Sequence, residues 1–358
     1  MYIYFAIPIV PILCYFIRPK QKRFMFFSIL FVLFFISTFR NNMMGTDYNS
    51  YIYYFNRIAN GESAYFHERG YVLFNSLLSR ISDQYWILAA GINILLFVPL
   101  SYYLKETVHN SPYWIVAVLV FILNPYMYLQ TSFNSLRQCC SIGILFCAAL
   151  QLRKEKYLIF TLLVLLAAQF HRISYIVILL PLLSKIKWTR KVWLITTFAS
   201  AIFSVTLLPQ LLSLISPILR FSRRYQTYSA SLLNQPIYII FIFLYLLATI
   251  SQYDFLAQDM DFKPKLDFHL LCTVLLFFAV QNDMVYRVRM LFAFIELPYI
   301  PKLFERIDTL KQTNRTVAKG GEMYKILHIL YYLFFWFGYI IYLYIKQDPH
   351  YIPFTFCF

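Results

Sequence analysis

The sequence predicts an all-α polytopic integral membrane protein of about 12 transmembrane helices, several short or broken, with an extracytoplasmic loop carrying short interfacial helices. Three observations predict it. Hydrophobic residues are 60% of the 358 residues. Charged residues are 13%, where soluble domains carry about 25%. Apolar runs near the length of a bilayer span recur along the whole chain, and the alternating pattern of a membrane barrel is missing.

In chain order, apolar runs place spans at about 2–17, 24–39, 85–104, 113–129, 137–152, 157–170, 173–184, 192–208, 236–252, 266–281, 290–301 and 326–345. The first run lacks a basic start and a small-residue cleavage site, so it reads as a retained span. Between the second and third lies a long polar loop, 40–84. Inside it Tyr48, Tyr51, Phe55 and Ile58 recur at helical spacing, as do Leu73, Leu77 and Ile81, so two short amphipathic helices at the interface are expected. Residues 157–184 are long for one span. Breaking them at His171-Arg172 returns the basic loop 185–191 to the cytoplasm, as the positive-inside rule favours. A second sizeable outer loop covers 209–234, and the longest basic loop covers 302–325. No repeat and no second domain is visible, so residues 1–358 read as a single domain.

The net charge of +16 belongs to basic cytoplasmic loops and not to nucleic-acid binding. In this topology 14 of the 15 lysines are inside, and the outer set is 11 arginines plus Lys346. Arginine presents a planar fork suited to phosphate. Arginines kept outside against the orientation bias therefore read as anion ligands, while Arg57, Arg80, Arg220, Arg223 and Arg224 suit interfacial anchoring. The cysteines sit mostly in apolar runs without metal-ligand spacing and read as small apolar fillers. No metal and no cofactor is expected. Asp259-Met-Asp261 has the form of a metal motif but falls on the cytoplasmic side.

A helix needs roughly 20 residues to cross the hydrocarbon. The pairs 157–170 with 173–184, and 266–281 with 290–301, are shorter. Their outer turns should sit in a recess, where irregular backbone and charge are tolerated only around a cavity. Those turns carry His171-Arg172 and Asp283…Arg287-Val-Arg289, and Asn134-Ser-Leu-Arg137-Gln138 enters from the fifth span.

The ordered pattern Arg40…Gly45-Thr46-Asp47-Tyr48…Tyr51, Glu68-x-Gly70-Tyr71, Leu136-Arg137-Gln138, His171-x-x-Ser174 and Tyr286-Arg287 resembles the EpsG-like, Wzy-type polysaccharide polymerases over about residues 2–345. The resemblance implies a multi-pass glycosyltransferase of the bacterial inner membrane. It would join repeat units carried on undecaprenyl pyrophosphate, at the periplasmic or outer face, into O-antigen, capsule or exopolysaccharide. The partners implied are the lipid-linked donor and acceptor, membrane lipid, and a chain-length regulator and flippase of the same pathway.

That chemistry asks for cations at the leaving diphosphate and a base at the acceptor hydroxyl. Arg137, Arg287 and Arg40 are the first pyrophosphate candidates, with Arg289 and Arg172 behind them. Because Arg289 follows Arg287 by two positions, both cannot face the same way on a helix, and one should be structural. Asp47, Glu68 and His171 are the base candidates. Asp47 is equally suited to capping the helix at Tyr48, and Arg137 to pairing with Asp47 or Asp283. Tyr48, Tyr51, Tyr71, Asn134 and Gln138 are candidate sugar contacts. A lipid-linked oligosaccharide flippase and a glycan ligase are the competing functions.

Overall fold

The computed structural model describes residues 2–17, 22–41, 44–45, 47–62, 68–124, 127–183, 185–215, 236–279, 283–313 and 315–346. The first basic loop around residue 20, most of the loop 209–234 with Arg220, Arg223 and Arg224, and the C-terminal residues lie outside them. Among the described residues every regular element is helical. Three helical stretches, Tyr85–Thr107, Arg190–Leu208 and Gly321–Ile345, are long and apolar enough to cross a membrane, and shorter apolar helices accompany them. Phe16, Phe31, Leu158 and Ile195 are each more than half exposed. Large apolar side chains this exposed on apolar helices suit hydrocarbon surroundings.

The helices group into two compact units, residues 1–178 with 332–358, and residues 179–331. The first contains α1 (Tyr2–Ile17), α2 (Lys22–Thr38), α3 (Tyr48–Ala59), α4 (Arg69–Ser79), α5 (Tyr85–Thr107) and α6 (Trp114–Leu123). A π-helical turn (Gln130–Asn134), α7 (Leu136–Arg153), α8 (Tyr157–Ala168) and most of a 3₁₀ helix (Arg172–Leu179) complete it. Helix α7 packs on α5 and α8, and α1 packs on α2 and α6. From Leu136 to Leu150 only Arg137 and Cys147 escape full burial. A Cβ on Gly143 would stand 1.8 Å from the Leu95 carbonyl oxygen, so α7 rests its backbone directly on α5. Small residues allow this approach where packing, not water exclusion, drives helix association. Helix α7 is therefore the rigid element on which the polar loop is hung.

The expected amphipathic helices are both present. In α3 the face Tyr48, Tyr51, Phe55 is buried. In α4 the buried residues are Tyr71 and Asn75, while Leu73, Leu77 and Ile81 turn outward at 62%, 51% and 71% exposure. That apolar stripe is placed to meet lipid, as an interfacial helix requires. The basic turn after α7 is as tight as expected. Lys154, Glu155 and Lys156 bond back to Gln151 and Leu152 carbonyls, with Glu155 at φ 57°.

The second unit contains α9 (Leu180–Leu183), α10 (Arg190–Ile215), α11 (Pro236–Ser251), α12 (Tyr253–Leu256), α13 (Lys263–Ala279), α14 (Asp283–Met290), α15 (Ala293–Thr313) and the first half of α16 (Arg315–Lys346). Helix α13 is central and packs against α10, α11, α14 and α15. Two expectations change here. Residues 283–290, read as a turn, form a helix. The loop expected at 302–325 is largely helical, because α15 runs to Thr313 and α16 starts at Arg315. Lys, Arg, Glu and Leu are strong helix formers, and ion pairs tie the two helices: Lys325 and Lys311 both meet Asp308 and Glu322. The fourth span also ends early. Helix α6 stops at Leu123, and Asn124, ahead of Pro125, is extended with ψ 101°, as a residue before proline prefers.

Gly143→Ala is expected to lower thermal stability by at least the ~1–3 kcal/mol typical of overpacking, since the clash is with backbone. Melting of the detergent-solubilised protein, with recovery of monodisperse material, reads this directly. An unchanged melt would show that α5 and α7 are not in backbone contact.

Candidate active site

The polar loop reaches the core along two arms, and a glycine makes each approach possible. On the first arm Gly45 has φ 113°, and a Cβ there would lie 2.4 Å from the Phe133 carbonyl oxygen and 2.9 Å from the Asn134 Oδ1. Only glycine adopts that φ without strain and leaves room for the π-helical turn beneath. On the second arm a Cβ on Gly70 would lie 2.7 Å from the Gln169 Cβ. The Tyr71 amide donates to the Gln169 carbonyl at 3.2 Å. The motif glycines thus seat the loop against both ends of the α7–α8 hairpin's approach, at 133–134 and at 169.

Arg40 is fully buried. Its guanidinium donates to the carbonyls of Ser37, Met44 (3.4 Å) and Phe133 (3.3 Å) and to the Tyr85 hydroxyl (3.1 Å). It also lies over the Phe133 ring at 4.7 Å. These contacts join the end of α2, the Gly45 turn, the π-helical turn and the start of α5. In this geometry Arg40 positions the loop, and its donors are spent on protein oxygens.

Asp47 precedes α3 and is half-buried, and its side chain makes no capping hydrogen bond. The capping alternative is therefore not realised. Tyr48 is buried against the Tyr85 ring, with centroids 6.0 Å apart.

Arg137 stands in the first turn of α7. Its Nη1 donates to the Glu68 Oε2 at 2.8 Å, with side-chain exposures of 25% and 9%. The ion pair formed is with Glu68. A cation in the first turn of a helix opposes the helix dipole, and Glu68 offsets that. Tyr51 and Tyr71 lie beside the guanidinium, with their rings edge to face at 6.2 Å. Burial pushes the Tyr71 phenol well above its ordinary range. A buried ion pair is worth no more than apolar residues of the same volume. Stability alone gives no reason for these charges.

His171 is buried, just beyond α8. Arg172 starts the 3₁₀ helix and is exposed. Three residues past His171, the Ser174 hydroxyl meets that of Ser141, one turn below Arg137 on α7. Asn134 donates to the Gln130 Oε1 at 2.9 Å, and Gln138 is buried. In the second unit Arg289 is buried. It bonds Glu296 at 2.7 Å and the Cys272 carbonyl at 3.1 Å. Its fork is held by these two oxygens, and Arg287 is half-buried.

Unit one therefore joins Tyr51, Glu68, Tyr71 and Arg137, with the motif arms seated on 133–134 and 169–171. Arg287 and Arg289 belong to unit two. Sequence reasoning missed Tyr85, Gln169 and Ser141, which act on the unit-one site through other residues, and in unit two Glu296, the partner of Arg289. Only Ser141 carried a signal, as a hydroxyl four residues after Arg137. Cys139, Cys140 and Cys272 are buried free thiols in helices. Among the described residues no three His, Cys, Asp or Glu side chains gather as a metal-ligand set.

The fold and this site define a helical membrane protein with a cluster of charged and aromatic side chains where a polar loop meets α7. The family model of the EpsG family matches residues 22–356, and the chain belongs to that family. No curated protein and no solved structure matches it.

Arg137→Ala leaves Glu68 buried without its cation and is expected to cost up to the ~3–5 kcal/mol of a broken buried pair. Adding Glu68→Gln should recover part of that loss. Thermal melts of the single and double variants measure the coupling, and additive losses would mean the pair is not formed.

Proposed function

We propose that the protein is a membrane glycosyltransferase that polymerises lipid-linked oligosaccharide repeat units into a surface polysaccharide. Membership of the EpsG family supports the reading, and one observation carries it. Arg137 is the cation at the one opening of an otherwise buried α7 N-terminus, held by buried Glu68 and flanked by two tyrosines. A helix N-terminus with a fixed guanidinium is a ready site for a phosphate.

In the proposed reaction an acceptor-sugar hydroxyl attacks the anomeric carbon of the donor. A new glycosidic C–O bond forms, the bond to the diphosphate breaks, and undecaprenyl pyrophosphate departs with the electron pair. Arg137 stabilises the growing charge. Glu68 orients Arg137, and the hydroxyl proton passes to Asp47 or His171. Tyr51 and Tyr71 offer faces and a phenol to the sugars. The sequence argument adds Arg287 to the diphosphate ligands. The chain crosses the bacterial inner membrane about 12 times, basic loops inside, with this site on the periplasmic or outer side. Arginine and dipole stabilisation suffice, so no metal is required.

Arg137→Ala and Asp47→Asn are expected to lower chain extension by about 10²–10³-fold, the scale of one lost electrostatic stabiliser, while the protein still inserts. Arg287→Ala tests the sequence-based ligand in the same way. The readout is a ladder gel of surface glycan from complemented null cells. A single-repeat product supports polymerase. Loss of all surface glycan points to flippase or ligase, and normal ladders from every variant reject the site.

Arg137→Lys keeps the charge but loses the fork. It should restore stability relative to Arg137→Ala yet leave extension at least tenfold down, by melting and by ladder length on the same samples.

A further inference from the structure

A charged recess lies within unit two. It is a cleft of about 310 Å³ with Lys185, Lys187 and Lys263 on its polar side and Trp188, Phe268 and Leu271 among its apolar walls. Its one carboxylate, Asp267, is already spoken for. It accepts from Lys263 at 2.6 Å, from the Trp193 indole at 2.9 Å and from the Tyr253 hydroxyl at 2.7 Å. Lys263 is thereby neutralised, and Lys185 and Lys187 are left as the net charge of the cleft.

The same contacts hold the lysine segment in place. Trp188 stacks on Trp193 with centroids 4.2 Å apart. Its carbonyl accepts from the Tyr253 hydroxyl at 3.1 Å. Buried Trp193 anchors α10 to α13 through Asp267. The loop 185–188 is therefore pinned at both faces and opens two ammonium groups over an apolar floor. Each feature matches a part of an acidic phospholipid: cations for the headgroup phosphate, a tryptophan at the headgroup level, and apolar walls for the first acyl carbons.

We infer that this cleft is a binding site for the headgroup of a phospholipid with net negative charge, such as phosphatidylglycerol, on the lysine-rich side of the membrane. A free phosphate shares the lysine chemistry but gains nothing from the apolar walls, which is why a lipid is the occupant.

The test is native mass spectrometry of the full-length protein exchanged into phosphatidylglycerol or phosphatidylcholine. Wild type should retain phosphatidylglycerol about tenfold or more over phosphatidylcholine, and Lys185→Gln/Lys187→Gln should lose most of that preference. Its melting temperature in phosphatidylcholine should stay at the wild-type value. The reference variant Lys154→Gln/Lys156→Gln, in the exposed turn after α7, should keep the preference. Equal retention by wild type and the Lys185/Lys187 variant, or equal loss in the reference variant, overturns the proposal. So does displacement of the lipid by millimolar inorganic phosphate. Should the double variant not fold, a photoreactive phosphatidylglycerol on wild type decides. Label on residues 185–188 supports the site, and label confined elsewhere rejects it.

Discussion

The arrangement of the first unit depends on one constraint: a cation at the start of a buried helix must be answered by an anion from elsewhere in the chain. Arg137 stands where the α7 dipole is positive and where nearly every neighbour is buried. The answer is Glu68, which lies 69 positions earlier and arrives on the polar loop. Desolvating both groups costs several kcal/mol per ion, and their attraction at most repays it. The pair therefore does not explain why the fold is stable. It explains why the loop has one place to sit. A loop displaced from that seat would leave Arg137 without its carboxylate.

Close backbone approach makes the seat possible. Three glycines carry it, at three interfaces: Gly143 lets α7 lie on α5, Gly45 lets the first arm touch Phe133, and Gly70 lets the second arm touch Gln169. Each interface brings main chain to main chain or to a Cβ, where no side chain can swing aside. Packing of this kind is stiff, and an active site is only as well oriented as the shell behind it. Arg40 belongs to that shell. It gathers three carbonyls and a tyrosine hydroxyl around the Gly45 turn, so the loop's geometry is held by a buried arginine rather than by its own short helices.

The two ends of the chain's polar economy differ in kind. The Arg137 site has an accessible cation beside an anion that orients it. The Arg289–Glu296 pair is closed, with both partners buried. The cleft around Lys185 and Lys187 has its carboxylate fully satisfied and its cations left over. Burial and partner count separate a structural arginine from a candidate ligand, and neither quantity follows from residue type.

Much of this was legible in the residues. The apolar runs located the helices, because 60% hydrophobic content in span-length blocks admits little else. Helical spacing in Tyr48, Tyr51 and Phe55 foretold the buried face of α3. The loop expected at 302–325 was misread, since its charge density looks like a linker when the cross-helix pairs to Asp308 and Glu322 are out of view. Glu68 as the partner of Arg137 was equally hidden. Local periodicity and composition are properties of neighbours along the chain, so the sequence by itself determined the membrane helices, the polar loop and the set of chemically suited side chains. Which arginine is sealed by carbonyls and which is paired with a carboxylate is settled by contacts with residues that do not flank it in sequence. Only the tertiary structure decided those, because desolvation and pairing depend on what packs around a charge and not on what flanks it.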